Sequence, residues 1–161
     1  MIEAVLLLGG NVGSVERTFE GVKCDLEREV GDIVRCSSVM RSAAWGFCAD
    51  DFLNEAVIVA TKLSAEELLD ATQRIEKRWG RTREEEQREK ILSGEKYTSR
   101  SIDIDIIFYG DAVIESERLV VPHLLMTKRE FVLEPIAQIA PHLVHPECGK
   151  SVAELLNELK A

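Results

Sequence analysis

The chain has 161 residues, enough for one domain with a real hydrophobic core and short of what a second domain would need. Hydrophobic residues make up 45% and charged residues 30%, a globular balance, and no apolar run is long enough to span a bilayer, so no membrane partner is expected. The net charge of -9 lacks the basic footprint that a phosphate backbone demands, which argues against nucleic acid as a partner.

The chain opens with an apolar run, Met1 to Leu8, that predicts a buried strand. Glu3 stands where a secretion signal would be basic, so the expected compartment is the cytoplasm. Four cysteines, Cys24, Cys36, Cys48 and Cys148, form no C-x-x-C pair, and free thiols are expected. Gly9-Gly10-Asn11-Val12-Gly13 lies between strand and helix but fits neither G-x-G-x-x-G nor the Lys-Ser/Thr phosphate loop. The expected role is a tight turn needing positive φ. A helix is predicted from about Val15 to Val30, with Phe19, Val22 and Leu26 at helical spacing. Gly31-Asp32 ends it.

Ile33 to Met40 predicts a second strand, and a loop with Trp45, Gly46 and Phe47 leads to a third, Phe52 to Thr61. Ser64-Ala65-Glu66-Glu67 has the form of a capping box opening a helix to Trp79, stopped by Gly80. Gln73 and Glu76, three apart, share a face of that helix. From Arg81 to Arg100 the chain is polar and charged, and a long mobile loop is expected there. Its arginines and lysines suit a small anion, while Glu84, Glu85, Glu86, Glu89 and Glu95 allow a merely charge-balanced segment.

Next comes Ser99-Arg100-Ser101-Ile102-Asp103-Ile104-Asp105-Ile106, a strand by its alternation. Residues two apart leave a strand on one face, so Asp103 and Asp105 point together and the isoleucines point oppositely. An acidic solvated face is one reading of such a pair. A divalent cation between carboxylates that otherwise repel is the other, and paired carboxylates with open water positions are how Mg²⁺ is held for phosphate substrates. The preceding arginine and the strongly apolar strand tip the reading towards metal. Two short extended segments should follow Gly110-Asp111 and lead to Val121-Pro122-His123. A helical region from near Lys128 to before Pro141, and a last helix from Ser151 to Leu159, complete the chain.

The order strand, helix, strand, strand, helix, strand predicts a ferredoxin-like α/β sandwich. In this α+β plan, βαββαβ, helices pack on one face of an antiparallel sheet and leave the other face or its rim for ligands. Trp45, Phe52 and Phe131, with Asn54 nearby, have the makings of a slot for a flat heterocycle, or else of core packing.

Taken together, several segments resemble the 6-hydroxymethyl-7,8-dihydropterin pyrophosphokinase family of folate biosynthesis. They are Leu8-Gly9-Gly10-Asn11-Val12-Gly13, Phe52-Leu53-Asn54-Glu55-Ala56-Val57, Gln73-Arg74-Ile75-Glu76 with Gly80-Arg81-Thr82-Arg83, Arg100-Ser101-Ile102-Asp103-Ile104-Asp105, and Val121-Pro122-His123 with Arg129-Glu130-Phe131-Val132-Leu133-Glu134-Pro135. The resemblance implies transfer of the pyrophosphoryl group of ATP to the pterin hydroxymethyl oxygen, leaving AMP, with two Mg²⁺ ions. It implies that Asp103 and Asp105 hold the metal, and that Arg81, Arg83 and Arg100 neutralise phosphates. It places Gln73, Glu76, Ile106, Arg118, His123 and Arg129 around ATP; for the contact the family takes from the loop, Arg88 and Tyr97 are the nearest candidates. Ser42, Ala43, Ala44, Trp45, Phe52, Asn54 and Phe131 match its pterin pocket. The chain departs from the family at Thr98-Ser99-Arg100, at Ser42-Ala43-Ala44 and in the length of the Arg81 to Arg100 stretch.

A single domain over residues 1–161 is therefore expected, acting as a monomeric cytoplasmic enzyme on ATP and a reduced pterin. The rivals are a binding module that senses nucleotide or pterin without turnover, and an ordinary kinase that releases ADP.

Overall fold

The computed structural model describes residues 1–10, 15–42, 52–79 and 102–161. The turn at 11–14, the Trp45 loop and the whole stretch from Arg81 to Arg100 lie outside the described residues.

Strand β1 runs Ile2–Gly10, helix α1 Val15–Glu29, β2 Gly31–Cys36, β3 Met40–Ser42, β4 Phe52–Thr61, α2 Ala65–Trp79 and β5 Asp103–Tyr109. A small hairpin follows, β6 Ile114–Glu115 with β7 Val120–Val121, then a 3₁₀ turn at Met126–Lys128, α3 at Glu130–Ile139 and α4 at Val152–Lys160. The main sheet is ordered β2-β4-β1-β5, every pairing antiparallel, with β3 continuing alongside β4. Two interleaved split units, β1-α1-β2 and β4-α2-β5, give the ferredoxin-like plan that the element order predicts.

Local chemistry accounts for the element ends. The Ser64 hydroxyl accepts from Glu67 N at 3.1 Å while the Glu67 carboxylate accepts from Ser64 N at 2.9 Å, the reciprocal box that starts α2. Ser151 and Glu154 do the same for α4. The expected single strand from Ile33 to Met40 is instead two. At Ser37 the hydroxyl accepts from Ala56 N at 2.9 Å, taking a partner that a strand carbonyl would have had. The backbone leaves the ladder there and rejoins it at Met40. A second correction concerns Gly9 and Gly10: both are the last residues of β1, and neither has positive φ.

Both faces of the sheet are covered. Leu6, Leu8, Val57, Val59, Ile104 and Ile106 pack under α1 (Phe19, Val22, Leu26) and α2 (Leu68, Ala71, Ile75). Val5, Leu7, Ala56, Ile58 and Ile107 pack under α3 (Val132, Leu133, Ile136) and α4 (Val152, Leu155). The expectation of one open face is thus corrected: C-terminal helices occupy it, and only the end of the sheet nearest Gly9 and Asp103 extends beyond that second core. The physical reason lies in the central strands, whose unbroken apolar runs would be exposed on one side if only one layer covered them.

Candidate functional site

At that end of the sheet the register sets one row of residues side by side. Met40 lies opposite Asn54, Asn54 opposite Gly9, and Gly9 opposite Asp103. Directly opposed residues share a face, so Asn54 and Asp103 rise on the same side with Gly9 between them. Two strand spacings separate them, about 10 Å. Gly9 keeps the gap open: a Cβ there would lie 2.9 Å from the Asn54 Nδ2. One step along β1, Leu7 opposes Asp105, which puts Asp105 on this face as well. Phe52, two residues before Asn54, joins it, and Ser42 sits opposite Phe52 at the end of β3. Both are half-buried.

Asn54 is 6% exposed. Its Nδ2 donates to the Leu8 carbonyl at 3.3 Å, whereas its Oδ1 has no hydrogen-bond partner. An acceptor left so costs about 1–3 kcal/mol in the free protein. That cost is recovered when a ligand supplies a donor, which makes the atom a candidate contact for the edge of a heterocycle.

On β5, Asp103 is half-buried and Asp105 exposed, while Ile102, Ile104 and Ile106 are all buried in the core beneath α1 and α2. The predicted split of the two faces holds, and it puts the Ile106 side chain inside that core. β5 is an edge strand, and the outward N–H of Ile104 donates to the Glu76 carboxylate at 3.1 Å. Glu76 thereby grips the strand between its two aspartates. Lower on the same edge, His123 N donates to the Ile107 carbonyl at 3.0 Å, which brings His123 alongside β5. Its Nδ1 accepts from Leu125 N at 3.4 Å. Arg129 precedes α3 and stacks its guanidinium 5.5 Å from the centre of the Phe131 ring. Phe131 is half-buried against the second core.

Along α2 a polar stripe links two parts of the site. Glu66, Asp70, Gln73 and Glu76 follow one another at spacings of four, three and three, one side of a helix. Arg118, from the turn between β6 and β7, bonds Glu66 at 2.7 Å and Asp70 at 2.5 Å. From Asp70 to Glu76 the stripe rises about 9 Å, the scale of an extended triphosphate. Gln73 is exposed on it.

The structure thus brings Ser42, Phe52, Asn54, Asp103 and Asp105 onto one face, with Glu76 and His123 along the edge of β5. Arg118 is held on α2, and Arg129 lies against Phe131. Ala43, Ala44, Trp45, Arg81, Arg83, Arg88 and Arg100 lie outside the described residues.

Three features went unread in the sequence. Gly9 acts by its missing Cβ, which only the register to Asn54 reveals. The buried Glu55, next to Asn54 but on the opposite face, accepts from Lys23 Nζ at 2.8 Å and leaves its Oε1 unpaired. Burial pushes the Glu55 carboxyl up despite the ammonium, and for Lys23 two carboxylates, Glu20 and Glu55, outweigh the burial that would lower it. The third is Asp25, buried beneath the end of α2. Burial alone would raise it, but donors from Trp79, Arg78 and Arg28 hold its carboxyl below the usual range. A charged residue within an apolar helical stripe was the available signal for Lys23 and Asp25.

Among the described residues no three His, Cys, Asp or Glu side chains converge. Two carboxylates on one face are hard oxygen donors, a set that fits Mg²⁺ with its remaining positions given to water and phosphate oxygens. Among the described residues, a soft metal would find no thiolate beside them.

The family model for 7,8-dihydro-6-hydroxymethylpterin-pyrophosphokinase (HPPK) matches residues 5–141. The 2-amino-4-hydroxy-6-hydroxymethyldihydropteridine pyrophosphokinase of Synechocystis is 40% identical over 157 residues, 97% of this chain and 75% of the relative. That of Methylorubrum extorquens is 37% identical over 161 residues, covering 99% of this chain and 94% of the relative. Among solved structures, wild-type HPPK-DHPS of Plasmodium falciparum superposes with a TM-score of 0.73 at 15% identity, over 98% of this chain. This chain spans only 44% of that longer one, and the likeness speaks to the fold alone.

Proposed function

The chain belongs to the 7,8-dihydro-6-hydroxymethylpterin-pyrophosphokinase family, and from that premise we propose how its residues divide the work. The reaction is transfer of the pyrophosphoryl group of ATP to the hydroxymethyl group of the dihydropterin, a step of folate biosynthesis. The hydroxymethyl oxygen bonds to the β-phosphorus, the bridge to the α-phosphate breaks, AMP departs and the hydroxyl proton is released. ATP in such enzymes works with Mg²⁺.

In our reading Asn54 meets the pterin edge. Its free Oδ1 accepts an N–H from the ring while Phe52 and Phe131 lie against the ring faces, with Ser42, Ala43, Ala44 and Trp45 closing the pocket. Asp103 and Asp105, two strand spacings from Asn54 across the Gly9 gap, would hold two Mg²⁺ ions. When bound, these ions would neutralise the triphosphate and stabilise charge on the attacking and leaving oxygens. The carboxylates are fixed in place beforehand, since Glu76 and β1 secure β5 from its two sides. Transfer of this kind is governed by positioning and charge neutralisation. Gln73, Glu76, Arg118, His123 and Arg129 surround ATP, joined by Arg88, and Ile106, its side chain buried in the core, offers only its backbone. Arg81, Arg83 and Arg100 bring guanidinium groups to the phosphates, which they suit by bidentate bonding. We read the chain as one domain, active as a cytoplasmic monomer.

The row Asn54, Gly9, Asp103 carries this reading, because it puts a buried unpaired amide oxygen and a carboxylate on one face about 10 Å apart. The test is product analysis: protein with Mg-ATP, with and without 6-hydroxymethyl-7,8-dihydropterin, and separation of AMP from ADP. Pterin-dependent AMP is expected. ADP, or no turnover, would overturn the reading.

A further inference from the structure

Resting on the assignment of Asp103 and Asp105 above, we propose that Asp25 is a positioning residue for the ion-binding strand. Through Trp79 and Arg78 it fixes the last turn of α2, and Glu76 in that turn holds the Ile104 amide between the two aspartates.

The contact is built from one stripe of α1. Gly21, Asp25 and Glu29 are each four residues apart and face the same way. Asp25 is 2% exposed and accepts from Trp79 Nε1 at 2.7 Å, from Arg78 at 2.9 Å and from Arg28. Arg78 also bonds Glu29 at 2.6 Å. A buried carboxylate is costly unless its oxygens are fully engaged, and here every listener is a donor. Gly21 makes the room: a Cβ there would stand 2.3 Å from the Trp79 ring. Glycine in mid-helix is ordinarily unfavourable, so its presence under the indole is explained by the docking rather than by α1 itself.

Two residues before Arg78, and so on the opposite side of α2 from it, Glu76 accepts from Ile104 N at 3.1 Å. Among the described residues no strand lies on that edge of β5, and Glu76 is what meets this amide. The Arg78 and Glu76 contacts stand back to back across this turn, with Trp79 one turn beyond Glu76. A shift of that turn away from α1 moves Glu76 relative to Ile104, and Ile104 is the residue between Asp103 and Asp105. The ion site is therefore held from α1, through α2, to β5.

The test uses Trp79→Phe, which removes the N–H together with the outer indole atoms over Gly21, and Asp25→Asn, which removes the charge. Amide exchange at Ile104 is followed in the labelled protein, alongside steady-state Mg²⁺ half-saturation and kcat. Leu26→Ala, a core change on the same helix, serves as the destabilised control. Both bridge variants should speed Ile104 exchange and raise the Mg²⁺ half-saturation about five-fold, the effect of one ordinary hydrogen bond. Turnover at saturating Mg²⁺ should be kept. Leu26→Ala should lower the melting temperature and leave the Mg²⁺ half-saturation unmoved. Unchanged Ile104 exchange in both bridge variants would overturn the proposal. So would faster exchange with unchanged Mg²⁺ dependence, or an equal Mg²⁺ effect from Leu26→Ala. Failure of the ion assignment shows separately: Asp103→Asn would then keep the wild-type Mg²⁺ dependence.

Discussion

Asn54 shows a conflict between stability and function within one side chain. Its Nδ2 is satisfied by the Leu8 carbonyl, and its Oδ1 is buried with nothing to accept from. Replacing it by an apolar side chain of similar shape removes the buried unpaired acceptor, a gain of about 1–3 kcal/mol, and loses the bond to the Leu8 carbonyl, a cost of similar size, so the two largely offset. Asn54→Leu is therefore expected to melt within about 1 kcal/mol of wild type. The same change deprives the pterin edge of its acceptor, so the pterin KM should rise at least about ten-fold while the ATP KM holds. Thermal melts and steady-state kinetics check both halves. A loss of stability with an unchanged pterin KM would make Asn54 a structural residue only. The type of this residue was legible in the sequence, beside Phe52. Its orphaned oxygen was not, because that depends on Gly9 being its neighbour across the sheet rather than along the chain.

At the scale of elements, periodicity and end signals were enough for β1, α1, β4, α2 and β5, where local chemistry and tertiary packing agree. The Ser64 and Ser151 boxes are local in sequence, and the Ser64 box was readable for that reason. The division into β2 and β3 was not readable, since it turns on the Ser37 hydroxyl reaching Ala56 in another strand. Gly31 is a further case in which the strand neighbour decides. As a sequence feature it reads as a helix stop, yet it begins β2, and a Cβ on it would fall 1.9 Å from the Ala60 carbonyl oxygen. Backbone cannot yield as a flexible side chain can. Gly31→Ala should thus destabilise the protein by roughly 1–3 kcal/mol, the cost of overpacking, instead of gaining the entropy that Gly→Ala gains at an unstrained site. Urea denaturation measures this, and a stabilised variant would mean that β2 and β4 do not approach as described.

At the scale of the whole molecule, the second layer was the main feature left unread, although its signal was present. Ala4 to Leu8 and Ala56 to Ala60 are continuous apolar runs and not alternating ones, as befits strands covered on both faces. The short C-terminal helices gave no sign of which sheet face they cover, because that is fixed by contacts over a hundred residues apart, such as Arg35 to the Ile139 carbonyl. Covering both faces leaves the end of the sheet as the place where side chains of β1, β4 and β5 emerge, and the candidate site lies there. Binding at such a site acts on the fold as a unit. A ligand at about 100 times its Kd adds about 2.7 kcal/mol to stability, and each kcal/mol moves the Tm of a domain this size by about 2–4 °C. The α,β-methylene analogue of ATP replaces the bond that the reaction breaks, so it reports binding without turnover. With Mg²⁺ it should raise the Tm by several degrees. Chelating the Mg²⁺ should abolish the rise, because two carboxylates facing a triphosphate with no cation between them repel it. Asp105→Asn with Mg²⁺ present should reduce the rise, since it removes a ligand from the ion. An undiminished shift in chelator would show nucleotide binding without the ion, and the assignment of Asp103 and Asp105 to metal would fail.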